Sequence, residues 1–165
     1  EITRLIDEQI NSVRRELSNM LNVGIITSDN ADNKLYYEIN QRYEHYVPLR
    51  AIFADQHVEP VAAVESTDEW QSSVTSLHGV RLAIAAGVLV RGSVSSVDIL
   101  LVGDIPAVKV KKAIKDIEKL EGRELNYSVL SYDEFYYRLS VRDKFITEIL
   151  NGNHSILLDT DKMLK

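Results

Sequence analysis

Two acids bracket the most apolar stretch of this chain. Asp98 precedes Ile99-Leu100-Leu101-Val102-Gly103, Asp104 follows it, and Glu124 opens the next apolar run. Carboxylates beside buried strands suit hard cations, and two-metal phosphoryl or nucleotidyl transfer needs several of them converging on ions about 3.5–4 Å apart. Asp98 alone cannot hold such a pair. Just upstream, Arg91-Gly92-Ser93-Val94-Ser95-Ser96 is a Gly- and Ser-rich loop whose backbone N–H groups suit an anion, without the lysine of a Walker loop. Its candidate nucleotide contacts are Gly87, Arg91, Gly92, Ser93 and Ser95. A second group lies near the start of the chain: Gln9, Asn11, Ser12, Arg14, Arg15 and Asn19, with Lys34 beyond them. These are the residue types that read base edges and hold phosphates. His45, His57, His78 and His154 show no pair at metal-ligand spacing and there is no cysteine, so neither a metal site nor another cofactor is expected.

The elements that must position these groups follow from apolar spacing and turn residues. Ala83 to Asp104 reads as two buried strands joined by a tight loop. Pro106 to Glu121 reads as a helix, with Val108, Ala113, Ile114, Ile117 and Leu120 inward, Lys109, Lys111, Lys112, Lys115 and Lys119 on a solvated outer face, and Gly122 as its stop. A third strand is expected over Leu125–Leu130, and Ser131 with Glu134 forms a capping box for a helix carrying Phe135, Tyr136 and Leu139. A further helix over Asp143–Leu150 closes at Gly152, and Ser155–Leu158 is a last short strand.

The order strand, strand, helix, strand, helix, helix, strand resembles the minimal nucleotidyltransferase family. There a strand ends in Gly-Ser, an Arg-Gly loop follows, and the next strand presents Asp-hydrophobic-Asp to two metal ions. Aligned on Val102-Gly103-Asp104, the chain keeps Gly87, Arg91, Gly92 and Asp98. It has Val88 where the family has its phosphate-binding Ser, Ser96 where it has its first metal-binding Asp, and Asn126 where its third acid sits. The resemblance, over roughly residues 77–160, implies a nucleotidyltransferase fold with degenerate catalytic positions Val88, Ser96, Asp98 and Asn126, and hence no catalytic residues.

At the start, Ile10, Val13, Leu17, Met20 and Leu21 make an apolar stripe at helical spacing over Glu8–Leu21. Glu1–Ile6 reads as the end of a preceding helix, Asp7 as the cap of the new one, and Gly24 as its end. Two β-prone runs, Asn22–Thr27 and Lys34–Asn40, flank the polar Ser28–Asn33, which predicts a hairpin. Helix, turn, helix and hairpin resemble a winged helix-turn-helix transcription regulator lacking its first helix, and the chain opens on Glu1 rather than Met. The resemblance implies double-stranded DNA as partner, with Gln9, Asn11, Ser12 and Arg15 reading bases and Arg14, Asn19 and Lys34 holding phosphates. An Arg-Arg pair on a helix also serves as plain solvated surface. Through Arg50, six basic side chains face eight acidic ones, so one copy should bind weakly and a homodimer is expected.

The remaining expectations are broad. The chain has 165 residues, 45% of them apolar and 27% charged, with a net charge of −6, as in ordinary globular proteins. Its longest apolar run, Leu82–Val90, is far short of the ~20 residues that cross a bilayer, so no membrane partner is expected. The absence of cysteine fits the cytoplasm. The fold class expected is α/β (α+β): a winged helix-turn-helix over 1–53, a linker and connecting helix over 54–76, and a mixed sheet with flanking helices over 77–165. The function expected is transcription regulation, with the second domain serving dimerisation or sensing. The alternatives are an active or nucleotide-binding nucleotidyltransferase, or an antitoxin-like module with a protein partner.

Overall fold

A computed structural model describes residues 2–53 and 67–164. Most of the expected linker, and His57 with it, lies outside the described residues. The chain mixes α and β elements in two compact units, Glu1–Asp55 and Gln56–Lys165.

In the first unit, α1 (Ile2–Leu5) and α2 (Ile10–Asn22) are joined by a four-residue turn. Asp7 does not cap α2. It takes a left-handed conformation, φ +52°, inside the turn, and Gln9 occupies the N-cap position with no side-chain hydrogen bond. α2 ends as expected at Gly24, φ +80°, whose N–H donates to Leu21 O (3.0 Å) while Ile25 N–H reaches Met20 O (3.0 Å). This paired closure is a Schellman motif, and it needs a residue that tolerates positive φ.

The hairpin pairs β1 (Ile26–Ala31) with β2 (Lys34–Ile39), antiparallel, from Ile26 opposite Ile39 to Ala31 opposite Lys34. The polar run expected as a loop is therefore mostly strand. Asp32 and Asn33, φ +52° and +57°, make the whole turn, because these two residue types enter the left-handed region more readily than most and a primed turn matches strand twist. Asn40 ties the hairpin's base to the end of α2, its Nδ2 donating to Gly24 O (2.9 Å) and its N–H to Ile25 O (2.9 Å). α3 (Tyr46–Phe53) follows. Of the stripe on α2, Val13 is buried, Leu17 and Leu21 are half-buried, and Ile10 and Met20 are exposed.

The second unit is built on a four-stranded mixed sheet. β3 (Val80–Ala85), β4 (Ile99–Gly103), β5 (Tyr127–Leu130) and β6 (Ser155–Asp159) stand in the order β5-β4-β3-β6. β3 runs antiparallel to β4 and β6, and β4 runs parallel to β5 through the crossover helix α5 (Ala107–Glu121). The two central strands are apolar at nearly every position because both faces are covered. On one face Ala83, Ala85, Ile99 and Leu101 pack against Trp70 and Val74 of α4 (Thr67–Thr75) and Val110, Ile114 and Ile117 of α5. On the other, Leu82, Ile84, Leu100 and Val102 pack against Phe135 of α6 (Tyr132–Ser140) and Ile146 and Ile149 of α7 (Lys144–Asn151).

α5 is turned differently from the expectation. Val110, Ala113, Ile114 and Ile117 share its buried stripe, whereas Val108 is 81% exposed and Leu120 is exposed. Two residues are 200° around a helix, so Val108 and Val110 cannot both face the sheet. Ser131 caps α6 as expected, accepting from Glu134 N–H (3.2 Å), and Asp143 caps α7, accepting from Phe145 N–H (3.1 Å). At the edge where β3 begins and β4 ends, the backbones of Gly79 and Gly103 approach so closely that a Cβ on Gly79 would lie 2.0 Å from Asp104 O.

Candidate functional site

The segment between β3 and β4 is not a tight turn. Residues 86–98 form a folded loop that contains a 3-10 turn over Gly87–Leu89. Its anchor is Asp98, a fully buried carboxylate immediately before β4. Asp98 Oδ1 accepts the Val88 N–H (2.8 Å) and Oδ2 accepts the Asn126 N–H (2.7 Å). The main chain repeats both links, since Ala86 N–H donates to Asp98 O (2.8 Å) and Asp98 N–H to Asn126 O (2.7 Å). Asn126 adds a third, its Nδ2 donating to Ser96 O (3.0 Å). Val88, Ser96, Asp98 and Asn126, scattered over thirty-nine positions in the sequence, therefore meet at one end of β4.

The chemistry of this cluster is that of a clamp. A buried charge is stable when several N–H groups point at it, and charge-assisted bonds of this kind are about twice as strong as neutral ones. Each oxygen of the carboxylate accepts one backbone amide. Asp104 lies at the other end of β4, roughly 20 Å along the strand, beyond the reach of a shared ion pair. Among the described residues, no three His, Asp or Glu side chains are grouped to hold a metal.

The nucleotide-contact candidates are held in the same loop. Gly87 is buried at φ +52°, and its N–H donates to Ser93 Oγ (2.9 Å). Ser95 Oγ donates to Val97 O (2.9 Å) and accepts from Val97 N–H (3.1 Å). Leu89, Val90 and Ser93 N–H groups donate to Ala86, Gly87 and Val90 carbonyls. Much of the amide set that would cradle a phosphate is thus spent on folding the loop. Arg91 and Gly92 are exposed, and Asn153, which the sequence did not single out, sits under Gly92 with its Nδ2 donating to Arg91 O (3.4 Å).

The second candidate surface lies on the first unit. Gln9, Asn11, Arg14, Arg15, Asn19 and Lys34 are all exposed, and Ser12 is half-buried. Glu16 stands among them. Arg15 Nε donates to Glu16 Oε1 (3.1 Å) and Asn19 Nδ2 to Glu16 Oε2 (3.3 Å), so one carboxylate gathers an expected base reader and an expected phosphate contact. That pair is open to water, with the Arg15 side chain 73% exposed, and such pairs contribute at most about 1 kcal/mol. An incoming phosphate or base edge can therefore replace it. Lys34 opens β2 directly after the hairpin turn.

The lysines of α5 are exposed, as expected for a solvated face. His154 Nδ1 lies 2.9 Å from Gly152 O, and His45 meets the Tyr43 ring edge-on at 5.7 Å. No described helix is long and apolar enough to cross a membrane. No known protein family, characterised protein or solved structure matches this chain.

Proposed function

We propose that this chain is a sequence-specific double-stranded DNA-binding transcription regulator of the cytoplasm. Residues 1–53 act as a winged helix-turn-helix, and residues 77–165 act as a nucleotidyltransferase-like domain that no longer catalyses and serves dimerisation or sensing. The observation that carries the reading is the element order of the first unit: a helix, a four-residue turn, a second helix exposing Gln9, Asn11, Arg14 and Arg15, and a two-stranded hairpin with Lys34 at its tip. In that arrangement the start of the second helix enters the major groove. The non-catalytic half of the reading rests on Asp98, whose two oxygens are bound by the chain's own amides.

Glu16 and the acidic balance of the segment make a single copy a weak binder. Two or three cations per copy against phosphates give a slope of log affinity on log salt of about −2 to −3 per copy, doubled in a homodimer. The test is fluorescence anisotropy against a pool of genomic duplex fragments at two salt concentrations, with Arg14→Ala, Arg15→Ala as the comparison. Selective binding that weakens with salt and is lost in the double variant is the expected result. Affinity unchanged in that variant sinks the recognition surface, and transfer of a labelled nucleotide abolished by Asp98→Asn would make the second unit an enzyme.

A further inference from the structure

Four of the described helices end on a residue in the left-handed region, and at α1 it is Asp7, φ +52°, where Glu8 N–H donates to Thr3 O (3.2 Å). At α2 and α5 that residue is glycine, Gly24 and Gly122, φ +80° and +67°. At α6 it is Arg142, φ +52°. The closure is again a Schellman motif: Arg142 N–H donates to Leu139 O (3.2 Å) and Asp143 N–H to Arg138 O (2.9 Å). A Cβ is disfavoured at this position, which glycine serves twice and aspartate once elsewhere in the chain.

The Arg142 side chain itself is exposed. The neighbouring Arg138 is engaged, bonding Glu134 Oε1 (2.8 Å), lying 3.6 Å from Asp143 Oδ1 and stacking on the Phe145 ring at 5.8 Å. Its bond to Glu134 holds its pKa above the ordinary arginine value. Lys144 faces Glu148 at 3.6 Å. The local carboxylates are thus taken by other cations, and among the described residues the Arg142 guanidinium has no ion-pair or hydrogen-bond partner. It stands instead at a cavity of about 290 Å³ between α6 and α7, with Leu139, Ile146 and Leu150 as apolar lining and Thr147 and Asn151 as polar lining.

We propose that this cavity binds a short branched or aromatic monocarboxylate, its carboxylate on Arg142 and its apolar body against Leu139, Ile146 and Leu150. The guanidinium fork matches a carboxylate through two parallel bonds. One unpaired cation neutralises one negative charge, so a monoanion fits better than a dianion. The volume lies at the small end of ligand sites, which limits the apolar body to a branched chain or a single ring. The inference needs only the second unit to be folded and stands whether or not the first unit reads DNA.

The experiment titrates sodium isocaproate and phenylacetate into the full chain, followed by calorimetry and nitrogen-edited NMR, with phenylacetamide as the uncharged control. At least one acid should saturate in the low-millimolar range or tighter, as suits so few heavy atoms, with shifted amides confined to residues 139–151. The uncharged control should bind roughly tenfold weaker or less. Arg142→Gly should keep the helix closure, melt at the same or a higher temperature, and still lose roughly tenfold or more in affinity, with Arg142→Lys in between. Loss of binding from a better-folded variant separates recognition from stability. Failure of both acids to saturate, or binding by Arg142→Gly within roughly threefold of the parent, overturns the proposal.

Discussion

The two units of this chain hold their apolar residues in opposite ways. In the second, a sheet covered on both faces buries two clusters, with Phe135, Leu82, Ile84, Leu100, Leu101 and Ile117 fully out of water. In the first, among the described residues, only Val13 and Ile26 are buried, while Leu5, Ile6, Ile10, Val23, Leu35, Ile39, Ile52 and Phe53 are exposed. Burial of apolar surface is the dominant favourable term in folding, at about 25 cal/mol per Å². The second unit carries that term within itself. The first relies on local devices, namely the Schellman closure at Gly24, the Asp32-Asn33 turn and the Asn40 tie, each of which contributes about 1 kcal/mol.

The strongest way to break this contrast is to separate the units. Residues 67–165 produced alone should unfold in a single cooperative transition in urea, whereas residues 1–53 alone should show weak helicity by circular dichroism and no cooperative transition. A sharp transition in the short fragment would show that its local devices suffice. Within the full chain, Phe135→Ala should cost about 3–5 kcal/mol in urea unfolding, as a fully buried ring leaves a cavity between the sheet and α6. A loss below about 1 kcal/mol would mean that this face collapses to fill the space.

Asp98→Ala comes next, at about 2–4 kcal/mol, because the Val88 and Asn126 N–H groups lose their acceptor in a buried place. Asp98→Asn should cost less, since its amide oxygen still accepts one of the two bonds. Equal losses for the two variants would show that the carboxylate charge, rather than the acceptor count, holds the clamp. At the small end, Phe53→Ser should change stability by less than about 0.5 kcal/mol, since the ring is 80% exposed. A larger loss would show that the ring is covered in solution, and a change in sedimentation with the same substitution would identify a second copy as the cover.

Much of the element order was legible in the residues themselves. Gly24 and Gly122 mark helix ends because a C′ position needs positive φ, and Ser131 marks a start because its hydroxyl accepts from Glu134 N–H. The structure brings Val88, Ser96, Asp98 and Asn126 together, a proximity that their spacing in the sequence does not contain. What the nucleotidyltransferase resemblance did not carry was the occupation of Asp98 by the chain's own amides. Asp7 misled because its side chain suits a cap, yet the left-handed turn at its own position moves the N-cap two residues on. Val108 misled because a helix this rich in apolar residues offers more than one stripe.

The sequence by itself determined the order of most elements and those ends that a side chain or a left-handed glycine marks, such as Gly24, Gly122 and Ser131, since these depend on φ preferences and capping groups that neighbouring residues set. Tertiary structure alone decided which stripe of α5 meets the sheet, that both oxygens of Asp98 face inward, and that Arg142 is left without a partner beside an apolar cavity. Those outcomes depend on which distant groups arrive at a given side chain and on which acceptors they have already satisfied. No local pattern contains that information.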